Sequence, residues 1–215
     1  MGTGKQIPHF MLEHTRMDAE NTYQVFDWLW TSGQLSEKDI ACLPELGIEA
    51  VINLALSTAS NALPGEAEFV TRHGIAYIQI PVEWERPEIY QLVQFFGLLK
   101  VFEGHKIWVH CAKNMRVSAF IYLYRRLCLA ESEETSVHPM REVWTPNDTW
   151  QAFIRNALSA RINSVHMRCA PSDHPLAPQL NAINENPDPL WLHSYSGREN
   201  GLMVVGSPTS IKRLA

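Results

Sequence analysis

The segment Lys106 to Phe120, KIWVHCAKNMRVSAF, passes from an apolar stretch through a short polar loop into a helix-like apolar period. In a parallel sheet, ligands gather outside the carboxyl ends of the strands, and a loop that opens a helix there offers free amide donors and the positive end of a dipole. An anion suits that position. Cys111 sits at the turn, where the same amides and dipole favour a thiolate, and a thiolate is a nucleophile. A single cysteine at the end of an apolar strand is by itself usually a small core residue. Its neighbours His110, Lys113, Asn114, Arg116 and Ser118 shift that balance.

No rival chemistry has comparable support. The four cysteines, Cys42, Cys111, Cys128 and Cys169, form no CxxC pair, and the nine histidines form no HExxH pair. Neither a disulfide frame nor a metal cage is indicated, so no metal or cofactor is expected. Cys128, one turn past Tyr124, reads as core.

Short apolar runs alternate with amphipathic stretches from residue 27 to 158, the pattern of parallel strands joined by helical crossovers. Strands are expected at 28–32, 48–54, 75–80 and 106–110. Ser36 with Asp39 forms a capping-box-like helix start, Pro44 should shorten that helix, and Gly47 should end it. A short helix follows over 66–73. The next is marked by Pro87 in its first turn and by Ile89, Leu92, Val93, Phe96 and Leu99. Another follows the Cys111 loop with Phe120, Leu123, Tyr124 and Leu127 inward. The last starts at Asn147 or Asp148 and carries Trp150, Phe153, Ile154, Ala157 and Leu158. The expected fold is α/β, with about four parallel strands and helices on both faces. Residues 1–24 read as an N-terminal arm and 25–159 as the domain. Residues 160–215, with six of the thirteen prolines, read as a poorly structured tail, although Leu202 to Val205 and the Trp191-Leu192 pair could dock as a strand or arm.

His110-Cys111 followed by Arg116 and Ser118 resembles the signature loop of the protein tyrosine phosphatase superfamily, in particular its compact bacterial dual-specificity-like members. The segments TSGQLSEKDI, VINL and IPVEWERP occur in comparable order there, so the likeness spans roughly residues 25–158. It implies a three-layer α/β/α fold, no metal, and hydrolysis of a phosphomonoester through a cysteinyl phosphate. Cys111 would be the nucleophile. The main-chain amides of Ala112, Lys113, Asn114, Met115, Arg116 and Val117 would cradle the phosphate, and Ser118 would ease departure of the thiolate. Such a reaction depends mainly on positioning and electrostatic stabilisation.

Two departures bear on this. The family's arginine position is occupied by Val117, and Arg116 comes one residue early with Ser118 still in register. Either the loop is rebuilt so that Arg116 forks onto the phosphate, or the clamp is missing and Lys113 supplies only a point charge. Asn114 replaces the usual glycine, and asparagine is among the few residues that tolerate positive φ. The second departure is the acid. The loop Val82 to Pro87 offers Glu83 first and Glu85 second where an aspartate is usual, and either carboxylate could instead complement the following helix. Trp84 would line the cleft or dock on the body. Asn53 resembles the strand-end asparagine that steadies the signature loop, and His110 would orient it by hydrogen bonding to nearby backbone.

The formal charge of −5, with no basic run, argues against nucleic acid as a partner. No apolar stretch is long enough for a membrane span and no secretory signal is evident, which reads as a cytoplasmic protein. The expected partner is a phosphorylated substrate of unspecified class, and the oligomeric state is not set. Two other functions fit the loop: a phosphate-binding pseudophosphatase of the same fold, and a rhodanese-type sulfurtransferase.

Overall fold

The computed structural model describes residues 17–159 and the strand at 203–205. Strands β1 (Tyr23–Phe26) and β2 (Leu29–Ser32) form an antiparallel hairpin, followed by α1 (Glu37–Cys42), β3 (Ala50–Asn53), α2 (Glu66–Arg72) and β4 (Ala76–Gln79). Then come α3 (Ile89–Val101), β5 (Ile107–His110), α4 (Met115–Leu127), the short α5 (Glu133–Ser136) and α6 (Met140–Val143), α7 (Asp148–Ser159), and β6 (Met203–Val205). The sheet order is β1-β2-β5-β3-β4-β6. Its four central strands are parallel, as the alternating pattern requires, and the two edges are antiparallel.

Helices cover both faces. On one, Leu92, Phe95, Phe96 and Leu99 of α3, Phe120 and Leu123 of α4, and Trp150 and Phe153 of α7 pack on Leu29, Ile52, Ile78, Ile107 and Val109. On the other, Ile40 and Val70 from α1 and α2, with Leu35 and Leu43, cover Trp30, Val51, Tyr77 and Trp108. This is the three-layer arrangement.

The local signals account for most boundaries. Ser36 Oγ accepts the Asp39 N–H at 3.1 Å while Asp39 Oδ2 accepts the Ser36 N–H at 2.9 Å, a reciprocal capping box. Asn147 Oδ1 accepts the Trp150 N–H, so Asn147 rather than Asp148 supplies the cap of α7. Three expectations change. Helix α1 ends at Cys42 with Leu43 as its cap, directly before Pro44, and not at Gly47. Val93 is exposed and Phe95 takes its place inside, because the stripe facing the sheet runs 92, 95, 96, 99. Pro87 precedes the helix: Glu88 is the cap residue, its N–H donating to Gln91 Oε1, while Gln91 Nε2 donates to the Pro81 carbonyl and ties the helix start to the end of β4. The hairpin partner β1 and the short α5 and α6 were not legible in the periodicity. The proposed tail, apart from 203–205, lies outside the described residues with Cys169, Trp191 and Leu192, as does most of the proposed N-terminal arm.

Candidate active site

Ser32, His110, Asn53 and Gln79 are in register at the carboxyl ends of the four parallel strands, a buried polar row across the sheet. The loop after His110 is held from outside. Its carbonyls at His110, Ala112 and Lys113 accept, respectively, the Leu54 N–H (2.8 Å), the Gln34 N–H (3.2 Å) together with Asn61 Nδ2 (2.9 Å), and Asn21 Nδ2 (3.0 Å). In a planar trans peptide the N–H points opposite to its carbonyl, so the Lys113 and Asn114 amides face away from those donors. The Cys111 N–H itself donates to the Ser32 carbonyl at 3.3 Å.

Asn114 adopts φ +64°, the left-handed conformation that its place in the loop anticipated. Its side chain is buried and donates to the Asn21 carbonyl at 2.6 Å and to Thr31 Oγ1 at 3.0 Å. Helix α4 begins immediately after, and the Ser118 N–H donates back to the Asn114 carbonyl. The amides of Met115, Arg116 and Val117 precede that first helical bond and are the free donors of the helix start. These three amides have no backbone partner among the described residues.

Around it, the side chains divide. Cys111 is fully buried against the larger core. Arg116 is 8 % exposed, and its buried Nε has no hydrogen-bond partner among the described residues. Its guanidinium carbon lies 5.4 Å from the centroid of the Trp84 ring, a cation–π contact. Trp84 in turn sits 5.2 Å from Trp144 and 5.4 Å from Trp150, and Trp150 Nε1 donates to the Trp84 carbonyl at 3.0 Å. Ser118 Oγ donates to the Met115 carbonyl and accepts from Trp144 Nε1 at 3.2 Å. The hydroxyl is thus engaged with groups other than the Cys111 sulfur. Lys113 is exposed.

The expected acids flank Trp84 in the chain and face solvent. Glu83 and Glu85 are both exposed, and the Glu83 carboxylate is 3.7 Å from the Arg86 guanidinium. Asn53 spends its side chain on the β3–α2 connection: Oδ1 accepts the Ala55 N–H at 2.7 Å, and Nδ2 donates to Glu66 Oε2 at 2.8 Å and to the Tyr77 hydroxyl oxygen at 3.0 Å. Its link to the Cys111 loop runs through Glu66, whose Oε1 is 3.2 Å from His110 Nε2. Burial pushes the His110 imidazole below its ordinary pKa, partly offset by Glu66 and the Cys111 main chain. Sequence reasoning missed Glu66, Gln34, Tyr77 and Trp144. A glutamate at a helix start reads as a dipole complement, and only the fold shows that this one points inward. A cleft of about 460 Å³, lined in part by Gln34, Ser36, Asn61 and Leu63, reaches the loop at Ala112.

A parallel sheet with a strand-to-helix Cys loop, buried Arg and free helix-start amides has the architecture of the dual-specificity-like phosphatases. The family described as dual-specificity-type protein tyrosine phosphatases fused to NAD+ kinase matches residues 4–156, and the chain belongs to it. No curated protein sequence matches. A DUF442 candidate phosphatase of Shewanella putrefaciens CN-32 is similar in structure at a TM-score of 0.60 and 28% identity, covering 67% of this chain and 95% of that one. TpbA of P. aeruginosa (TM-score 0.54, 14% identity, 66% of this chain and 89% of that one) shares the fold. So does PTPMT1, solved in complex with PI(5)P (0.56, 11%, 65% and 96%).

Proposed function

We propose that the chain hydrolyses a phosphomonoester, with Cys111 attacking phosphorus and the leaving oxygen departing as the cysteinyl phosphate forms. Water then cleaves the S–P bond, releasing inorganic phosphate and restoring the thiolate. The observation that carries this reading is Arg116: a nearly buried side chain in the first turn of the helix that follows the Cys111 loop, its guanidinium against Trp84 and with no carboxylate paired to it among the described residues. An uncompensated buried cation is costly, and a bound dianion relieves that cost. The early arginine thus supports the rebuilt-loop alternative, with Arg116 as the clamp. Exposed Lys113 contributes little to it. Asn53 and His110 act as supports of the loop, Trp84 as the platform of Arg116, and Glu83 or Glu85 as proton donor to the leaving group.

A second reading, a phosphate receptor without turnover, is favoured by two observations: Cys111 has no exposed surface, and both candidate acids face solvent. Under the enzyme reading the side chains over the sulfur must part when an ester binds. Assay of p-nitrophenyl phosphate with the wild type and Cys111→Ser separates the two. Turnover abolished by the substitution supports hydrolysis. Saturable phosphate binding with no turnover in either chain supports the receptor.

A further inference from the structure

Glu66 is a buried carboxylate at the first position of α2 that the reaction above does not use. Three hydrogen-bond donors converge on it: Gln34 Nε2 (2.5 Å) on Oε1, and Asn53 Nδ2 (2.8 Å) and the Tyr77 hydroxyl (2.9 Å) on Oε2. His110 Nε2 lies 3.2 Å from Oε1, close to the carboxylate but off the line of a hydrogen bond. Two of these flank the candidate nucleophile: His110 precedes Cys111 in the chain, and the main-chain N–H of Gln34 holds the carbonyl of Ala112, which follows it. We propose that Glu66 is a positioning residue that keeps a proton on Nε2 of His110 and, through His110 and Gln34, fixes the main chain on both sides of Cys111.

Nε2 is the ring nitrogen of His110 that stands near a carboxylate oxygen, and a lone pair turned toward that oxygen is disfavoured relative to an N–H. The surroundings show what a neutral replacement would do. In Glu66→Gln one oxygen becomes an NH2 group that must face one pair of the present neighbours. Asn53 cannot turn its amide to accept, because Oδ1 is held by the Ala55 N–H. Gln34 can adapt by flipping its amide, giving up its 3.2 Å bond to the Leu35 carbonyl, and His110 by moving its proton to Nδ1. The amide therefore settles with its NH2 toward His110, and Nε2 becomes an acceptor.

The test reads the imidazole nitrogens of His110 directly, by 15N NMR of the full chain with His110→Gln as the assignment control. The wild type is expected to show a protonated Nε2, and Glu66→Gln, confirmed as folded by its melting curve, a bare one. Tyr77→Phe, which removes a donor only from Oε2, should leave the proton in place. A bare Nε2 in the wild type, or a protonated one in folded Glu66→Gln, overturns the proposal, and the wild-type spectrum decides it even if that variant does not fold. The kinetic arm rests on the phosphatase reading: kcat for p-nitrophenyl phosphate should fall about tenfold or more in Glu66→Gln with KM little changed, the signature of a misplaced reacting group rather than of lost binding. A wild type without turnover but with a protonated Nε2 removes the phosphatase reading alone.

Discussion

The two sides of the Cys111 loop hold their buried charges differently. Beneath the strand ends, the Glu66 carboxylate accepts from Gln34, Asn53 and Tyr77, and Asn53 also accepts from the Ala55 amide, while Gln34 Oε1 and both ring nitrogens of His110 have no hydrogen-bond partner among the described residues. Across the loop, Arg116 lies against Trp84, itself wedged between Trp144 and Trp150, with a buried nitrogen that nothing in the described protein satisfies. Satisfied polar groups in a low-dielectric interior give rigidity, whereas an unsatisfied one is a standing cost that folding alone does not explain. The first side fixes geometry. The second holds a charge in readiness, because an aromatic face steadies a guanidinium without neutralising it as a carboxylate would.

The largest expected effects fall on the Arg116 side. Arg116→Ala should weaken competitive inhibition by inorganic phosphate by about 10- to 100-fold, the range for a lost charge-assisted hydrogen bond, while Lys113→Ala changes it less than about threefold. Equal small effects in the two variants would show that neither side chain forms the clamp. Removing the wedge should act on stability: Trp150→Ala is expected to cost about 3–5 kcal/mol in urea unfolding, since its ring is fully buried among Phe120, Phe153, Trp84 and Trp144.

At the turn of the loop itself the effects are smaller and more diagnostic. Asn114→Ala should destabilise by about 2–3 kcal/mol, combining the left-handed backbone penalty with loss of the bonds to the Asn21 carbonyl and Thr31. Asn114→Gly keeps the backbone freedom and should cost less than Asn114→Ala. If both variants cost the same, the hydrogen bonds and not the positive φ set the requirement.

Thiol chemistry gives an internal control. Burial pushes the Cys128 thiol up to about 11, so its thiolate is scarce near neutral pH and its alkylation by iodoacetamide should climb only as the pH approaches that value. Mass spectrometry of the alkylated chain resolves Cys128 from Cys111, and protection of Cys111 alone by phosphate would place the anion at the loop. Smallest of all, Glu83→Gln and Glu85→Gln compared by pH–rate profile should differ from each other. The one that removes the acidic-group limb is the proton donor, and two unchanged profiles would take this role from both.

Much of the scaffold was legible because its signals are local. Alternating apolar runs gave the parallel strands, the Ser36–Asp39 box and Pro44 gave α1 its start and early end, and an asparagine in the glycine position forecast the positive φ at 114. The edge strand β1 escaped notice because YQVF is short and only half-buried. Trp144 and Glu66 escaped for a different reason: one follows a short helix and the other opens one, and neither position says what a side chain will meet across the sheet.

The sequence by itself determined that Cys111 ends an apolar strand and precedes a helix, since that follows from periodicity and from the intrinsic tolerance of one asparagine, both properties of neighbouring residues. Only the tertiary structure decided that Arg116 is buried without a counter-charge among the described residues and that Glu66 stands behind His110. Those facts depend on contacts between segments far apart in the chain, where charge and burial are set by what the fold brings near.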